Sequence, residues 1–248
     1  MMRTTVLVVA ALVVLGTGAP AAEPWVQATF GLTTYDLSDV NDDLTDSTRD
    51  FGFLHGEDQV IDSSPIIGGA VGLRLGDHWN VGVFFDRLPA GSTFDQVRRV
   101  EFDRGLSTDY VDYDVGASAL YLTVDRLLGE VRDNPRVVYG VSGGIISASG
   151  ELQVDILDEF ADDPEEQRVG TDWSGTGPYV DAHLKVMVDL GRFFLEPEIA
   201  YRYARVDVPD FDETFLLDND EEPIFDVEKL DYTGMVFRLG VGFKLGRR

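Results

Sequence analysis

Apolar and polar residues alternate along the last part of the chain. Between residues 235 and 245 every second position is apolar: Met235, Phe237, Leu239, Val241, Phe243 and Leu245. The positions between them are mostly polar or glycine: Val236, Arg238, Gly240, Gly242 and Lys244. This period of two predicts a β-strand with one apolar face and one polar face. A soluble protein can bury such a face against a second sheet, so one segment does not decide the fold.

The same alternation recurs and predicts eight strands. Their ranges are 25–35, 65–75, 79–87, 110–124, 136–149, 178–190, 193–203 and 235–245. Connections after the second, fourth and sixth strands are short. Those after the first, third, fifth and seventh are long, at 36–64, 88–109, 150–177 and 204–230. Short turns at one end and long loops at the other are typical of bacterial outer-membrane barrels, whose long loops lie outside the cell.

The first 22 residues have the pattern of a secretory signal peptide. Arg3 supplies the positive start, residues 6–15 the apolar core, and small residues at 18–22 a cleavage site, which we place after Ala22. An apolar run of about ten residues is too short for a membrane-spanning helix, which needs roughly 20. We therefore expect a leader at 1–22 and one barrel domain at 23–248.

Composition excludes several classes of function. The chain has no cysteine, which rules out disulfides and thiolate metal sites. It carries 45 acidic residues against 20 basic ones, and such a surface repels nucleic acid. The segments 36–62, 151–172 and 207–228 hold 28 of the 45 acids, which predicts solvated acidic loops.

These observations together predict an all-β fold, an eight-stranded antiparallel up-and-down transmembrane β-barrel. A ten-stranded barrel would need residues 93–102 to form part of a separate membrane hairpin, but their charges make a poor lipid face. We expect this stretch to extend the third and fourth strands above the membrane.

Aromatic residues cluster near the predicted strand ends, where outer-membrane barrels carry interfacial girdles. On the short-turn side they are Trp25, Trp79 and Phe193, and on the long-loop side Tyr35, Tyr201 and Tyr203.

The leader, the eight alternating strands, the two loop lengths and the aromatic-rich last strand resemble the small outer-membrane β-barrel proteins of the OmpA/OmpX/OmpW type. The resemblance rests on pattern and includes no signature motif. It implies localisation to the bacterial outer membrane, contact with its lipid, and assembly by the barrel-insertion machinery. Because only a few residues follow the last strand, we expect no peptidoglycan-binding domain of the kind that some such proteins carry. The last strand resembles that machinery's recognition signal, although such proteins often end on Phe and this chain continues to Lys244–Arg248.

Charged residues on the inward faces are the main candidate site. They are Arg74, Asp181, His183, Lys185, Glu196, Glu198, Arg202, Arg238 and Lys244. Signs are nearly balanced, which favours a plug of ion pairs in a narrow barrel. A gated conduit or ligand pocket is the alternative. Glu196 and Glu198 near Arg202 also have the composition of a hydrolase carboxylate pair, but their inward direction favours a structural role.

Two weaker kinds of site remain open. Oxygen ligands alternate as in calcium loops at Asp39, Asn41 and Asp43 and at Asp218, Asp220 and Glu222, although Leu44 replaces the usual Gly and Pro223 follows the second group. We expect at most loosely bound divalent cations there and no other cofactor. His55 with Asp58 or Asp62 has the residue types of a catalytic rim in a lipid-modifying enzyme.

The function expected from the sequence is that of a non-enzymatic, monomeric outer-membrane barrel with a structural or surface-interaction role. A narrow, porin-like channel or a carrier for small or apolar solutes is the alternative, because inward Gly68, Gly72, Gly240 and Gly242 leave space for a passage or permit strand curvature.

Overall fold

One antiparallel sheet closes on itself. The computed structural model describes residues 22–35, 63–90, 96–102, 105–130, 133–157, 166–207 and 229–246. The wall strands are β1 (Ala22–Thr34), β2 (Ser63–Leu75), β3 (Trp79–Ala90), β5 (Gly105–Leu127), β6 (Arg136–Leu157), β7 (Glu166–Leu190), β8 (Phe193–Asp207) and β10 (Gly234–Lys244). β4 (Gln96–Phe102) pairs with β5, and β9 (Lys229–Asp231) pairs with β8. Because β1 pairs with both β2 and β10, the wall forms a closed barrel.

The cross-strand register fixes the diameter of this barrel. A row of paired residues that starts at Glu23 and passes once around the wall returns to β1 at Thr33, ten residues further along. The row is Glu23, Arg74, Asn80, Asp125, Gly140, His183, Ala200, Val236 and Thr33. Eight strands with this stagger tilt by about 40° and enclose an interior that side chains can fill.

The two faces of the wall have opposite chemistry. Large apolar side chains point outward and are exposed, among them Phe30, Ile67, Phe85, Leu122, Val141, Ile145, Val180, Leu184, Ile199 and Phe237. Buried polar and charged side chains point inward, among them Asp86, Asp125, Asp181, His183, Lys185, Glu196, Arg202 and Arg238. Such a closed wall satisfies its own backbone and meets hydrocarbon with apolar side chains, which is what a bilayer requires. The molecule is an eight-stranded antiparallel transmembrane β-barrel. Among the described residues, no helix is long and apolar enough to cross a membrane.

The eight predicted strands are confirmed, but the predicted loop 150–177 is wrong in part. β6 continues to Leu157 and pairs with β7 from Glu166, inside the predicted loop 150–177. β5 begins at Gly105 and pairs with β4, so residues 96–102 extend the line of β3 as expected. Alternation did not reveal the extension of β6 and β7 because a hairpin above the membrane meets water on its exposed face, where no apolar residues are needed.

Two of the six aromatic residues expected in the interfacial girdles point into the barrel and not toward the lipid. Trp79, Phe193, Tyr201 and Tyr203 are exposed on the outer face, as expected. Trp25 and Tyr35 are buried in the interior. The reason is the period of two, since Trp25 shares its face with Gln27 and Tyr35 follows the same parity. Of the predicted leader, residues 1–21 lie outside the described residues, and Ala22 is the first residue of β1.

The apolar outer face predicts the effect of placing a charge where the wall meets lipid. Val141 lies on the outer face of β6 and is 59% exposed. We expect Val141→Arg to lower stability by about 2–4 kcal/mol and to reduce membrane assembly, because arginine near the bilayer midplane is costly. Ser149→Arg, on the same face of β6 but beyond the apolar series, should assemble normally. Electrophoresis of membrane fractions with and without boiling measures the folded fraction, and equal folding of both variants would contradict the assignment.

Candidate functional site

The interior is filled at three levels between the short turns and the long-loop end. The level nearest the short turns contains aromatic rings and the ion pairs of Arg74 and Lys244, the middle level contains most of the charged groups, and mainly apolar side chains occupy the level nearest the long loops. The middle level brings together residues from β3, β5, β7, β8 and β10. Since all of these lie inside a lipid-facing wall, the contacts between them decide what the interior can do.

Arg238 is the centre of the charged level. Its guanidinium lies 2.6 Å from a carboxylate oxygen of Asp86 and 2.6 Å from one of Glu198. It also lies 3.7 Å from Asp181 and donates to the hydroxyl of Tyr121. The planar fork of arginine holds several acceptors in fixed directions, which suits a residue that joins strands on different sides of a barrel.

His183 joins Asp181 to a further carboxylate, that of Asp125. Its Nδ1 lies 2.7 Å from Asp181 and its Nε2 lies 2.7 Å from Asp125. A neutral imidazole donates from one nitrogen only, so both bonds form when the ring is an imidazolium cation. Lys185 completes the chain, at 3.1 Å from Asp125 and 3.5 Å from Glu198.

Aromatic rings line one side of this network. Tyr121 stacks on Tyr179 with ring centroids 4.4 Å apart, and Phe84 stacks on Tyr121 at 5.4 Å. The Tyr121 hydroxyl donates to Asp86 at 2.7 Å, and the Tyr179 hydroxyl donates to Asp181 at 2.7 Å. Lys185 lies over the ring of Phe84. The rings therefore restrict the carboxylates and cations to one arrangement.

Trp25 closes the level nearest the short turns. Its indole contacts Phe84 and Phe194 with ring centroids 6.1 Å away in each case. Gly72 lies against the indole and Gly242 against the ring of Phe194, where a Cβ atom would collide with either ring. Gly68 and Gly240 likewise lie against side chains, which are Asp86 and Thr29 for the first and Gln27 for the second. The space beside the four lumen glycines is therefore filled by neighbouring side chains.

The level nearest the long loops is largely apolar. Its fully buried members include Ile66, Leu88, Ile146, Val206 and Leu230. Arg202 lies below them, donating to the Tyr232 carbonyl and to the Thr33 hydroxyl, both at 2.8 Å, with the ring of Tyr35 nearby.

The structure brings five of the nine predicted inward residues into one network: Asp181, His183, Lys185, Glu198 and Arg238. Glu196 instead accepts from Gln27 at 3.1 Å. Arg202 contacts neither glutamate, so a carboxylate pair acting with this arginine is not formed. Arg74 pairs with Glu23 at 3.5 Å and Lys244 pairs with Asp189, both near the short turns.

Sequence reasoning missed four members of the network: Asp86, Tyr121, Asp125 and Tyr179. Asp86 and Tyr179 lie within predicted strands, and the period of two alone places both of them on inward faces. Asp125 lies one residue past the predicted end of the fourth strand. Tyr121 also occupies an inward position, but an aromatic residue in an apolar stretch does not reveal that its hydroxyl donates to a carboxylate.

The remaining candidates lie outside the described residues. These are the calcium-type positions Asp39, Asn41, Asp43, Asp218, Asp220 and Glu222 and the possible rim residues His55, Asp58 and Asp62. Within the described ranges, no group of three or more His, Asp or Glu side chains is arranged to hold a metal ion. The side chains of Asp181, His183, Lys185 and Arg238 are each at most 2% exposed. The arrangement holds paired charges away from solvent and stabilises the interior.

Removal of one partner should be much more harmful than removal of a pair. We expect Arg238→Met to lower the free energy of unfolding by about 3–5 kcal/mol, because Asp86 loses its counter-charge and Glu198 keeps only Lys185. Arg238→Met combined with Glu198→Gln should recover part of this loss. Urea titration of the folded barrel in detergent measures the three values.

Arg126→Met is the matched control, since Arg126 points outward and contacts the ring of Trp79 at 5.5 Å. Its loss should stay below about 1 kcal/mol. Equal losses for the two arginine variants would show that the interior charges are not a coupled network.

Comparison with known proteins gives similarity of fold only. No family model matches the chain, and no curated protein matches it. Among solved structures, Neisserial surface protein A has 9% identity over 91% of this chain and 99% of its own, with a TM-score of 0.45. Ail of Yersinia pestis has 12% identity over 91% of this chain and 99% of its own, with a TM-score of 0.43. The outer membrane protein OprG of Pseudomonas aeruginosa has 12% identity over 92% of this chain and 97% of its own, with a TM-score of 0.41.

These values carry no inference about function. The architecture follows from the chain itself: eight wall strands, a stagger of ten residues, an apolar exterior and a charged, filled interior. It is the eight-stranded barrel that the resemblance to small outer-membrane β-barrel proteins predicted.

Proposed function

We propose that the protein is a non-enzymatic barrel of the bacterial outer membrane, with a structural and surface-interaction role. In this proposal the wall spans the bilayer, the interior is a rigid support, and the long acidic loops face the exterior. Its partners are outer-membrane lipid and, during assembly, the barrel-insertion machinery, and it acts as a monomer. Divalent cations bind the acidic loops only loosely.

The single observation that carries this proposal is the filled interior. A conduit needs a continuous water-filled path, but buried side chains occupy every level of the described barrel. Trp25 and Phe194 lie nearest the short turns, Arg238 and its partners lie in the middle, and Ile146 and Leu230 lie nearest the long loops. The same burial leaves the interior carboxylates without access for a substrate, which weighs against catalysis there.

The distribution of acidic residues supports an exterior role for the loops. The segments 36–62 and 207–228 belong to connections at the end of the barrel opposite the short turns, and 151–172 covers the end of β6, the start of β7 and the connection between them. Dense negative charge keeps loops solvated and favours cationic partners over nucleic acid or anionic polymers. A rigid barrel that displays them needs no passage through its centre.

Conductance separates a structural barrel from a channel. We expect the folded protein in planar bilayers to give no reproducible current steps, because charged side chains and rings obstruct the lumen. A general porin in the same bilayers is the positive control, and unboiled electrophoresis verifies that the sample is folded. Reproducible steps from folded protein would favour the narrow channel instead.

Orientation is tested with single cysteines, because the chain contains none. We expect Ser47→Cys, in the first long connection, to react with a membrane-impermeant maleimide on intact cells. Asn134→Cys, in the turn before β6, should react only after the outer membrane is permeabilised. Labelling of Asn134→Cys alone on intact cells would reverse the proposed orientation.

A further inference from the structure

The upper edge of the apolar exterior is marked by the first polar outward residue on each strand, counting toward the long loops. On β3 the outward series Val81, Val83 and Phe85 ends at Arg87. On β5 the outward series of Val124, Leu122 and Leu120 ends at Ser118, and the register places Arg87 directly opposite Ser118.

This row continues across two more strands. Ser118 is opposite Ser147 on β6, and Ser147 is opposite Thr176 on β7. On the other four wall strands, the first polar outward residues are Thr34 of β1, Ser63 of β2, Arg205 of β8 and Thr233, which directly precedes β10. These eight positions form a boundary ring of hydroxyl and guanidinium groups. The ring contains no carboxylate, although acids outnumber bases by 45 to 20 in the whole chain.

The two arginines of the boundary ring differ in their contacts. Arg205 donates to Asp231 at 2.8 Å and lies over the ring of Tyr203. Arg87 is exposed, and within the part of the chain that the structure describes it makes no hydrogen bond or ion pair. Its neighbours across the sheet are Ile67, which is 62% exposed, and Ser118. Among the described residues, Arg87 therefore has no counter-charge, and it lies beside side chains that face hydrocarbon.

A guanidinium in this position is within reach of anions at the membrane surface. Arginine is always charged, and at the edge of an apolar belt it extends along its aliphatic stem to reach the polar layer. The anions at that depth are the phosphates of lipid headgroups, which the planar fork binds through two parallel hydrogen bonds. The hydroxyls of Ser118 and Ser147 follow along the row and are suitable donors to phosphate or sugar oxygens.

We infer that Arg87, with Ser118 and Ser147, forms a binding site for the phosphate of an outer-leaflet lipid headgroup. This inference rests on the proposed outer-membrane placement. The lipid tails lie along Phe85, Ile67 and Leu120, just below the row, so the ligand is a lipid and not a free anion. The absence of acids from the boundary ring removes repulsion where the headgroups approach.

The test uses the folded barrel in a maltoside detergent, which contains no phosphate. Native mass spectrometry measures retention of diphosphorylated lipid A, of the same lipid after dephosphorylation, and of inorganic phosphate. We expect lipid A to bind at least about tenfold more tightly than its dephosphorylated form, since charged hydrogen bonds are at stake. Inorganic phosphate in equal amount should not displace it.

Variants locate the site. Arg87→Gln should weaken lipid A binding about tenfold, and Arg87→Lys should weaken it less because the charge remains. Arg205→Gln is the matched control in the same ring and should change affinity less than about twofold, because Arg205 is already paired with Asp231. Heat-modifiable electrophoresis verifies that each variant is folded.

Wild-type affinity in Arg87→Gln, equal binding of the dephosphorylated lipid, or displacement by inorganic phosphate would each overturn the inference. The outer-membrane proposal fails by a separate observation, which is absence of the wild-type protein from the outer-membrane fraction.

Discussion

A charge enclosed in a membrane-spanning barrel has to be matched by an opposite charge at hydrogen-bonding distance. Hydrocarbon surrounds the wall, so strand alternation sends apolar side chains outward and polar ones inward. Eight strands with a stagger of ten residues leave no wide aqueous channel in which inward charges are hydrated. The pairs formed by Arg238, His183 and Lys185 are the result of this constraint.

Several of the ion pairs join strands that are not neighbours in the sheet. Arg238 on β10 reaches Asp86 on β3, and His183 on β7 reaches Asp125 on β5. Backbone ladders connect only adjacent strands, so these contacts are cross-links through the centre of the barrel. Buried pairs do not by themselves add much stability over apolar packing, but a mispaired arrangement leaves charges uncompensated. The network therefore favours one register of the wall over shifted alternatives, in which inward and outward faces would be exchanged.

The sequence predicted well which residues face inward and outward, and it predicted poorly which interior side chains contact each other. Alternation identified all eight strands and placed all nine candidate charged residues on inward faces. It did not show that Arg202 binds Thr33 and the Tyr232 carbonyl instead of the nearby glutamates. Those contacts depend on the stagger, which is set by the register around the whole circuit and not by any one strand. The misplaced Trp25 shows a different limit, because closeness to a strand end gave a wrong direction that parity alone would have corrected.

The placement of charge along the barrel axis follows from the same physics. Carboxylates in the interior are offset by cations, and those beyond the membrane are hydrated, so both locations tolerate many acids. The outer edge of the apolar face offers neither protection, because a carboxylate there meets lipid phosphates of its own sign. Serine, threonine and arginine occupy that edge instead, from Arg87 through Ser118 and Ser147 to Thr176. In the proposed membrane placement, a strongly acidic chain therefore presents neutral and basic side chains at the depth of the headgroups, while its acidic residues remain in the interior and in the connections beyond the apolar face.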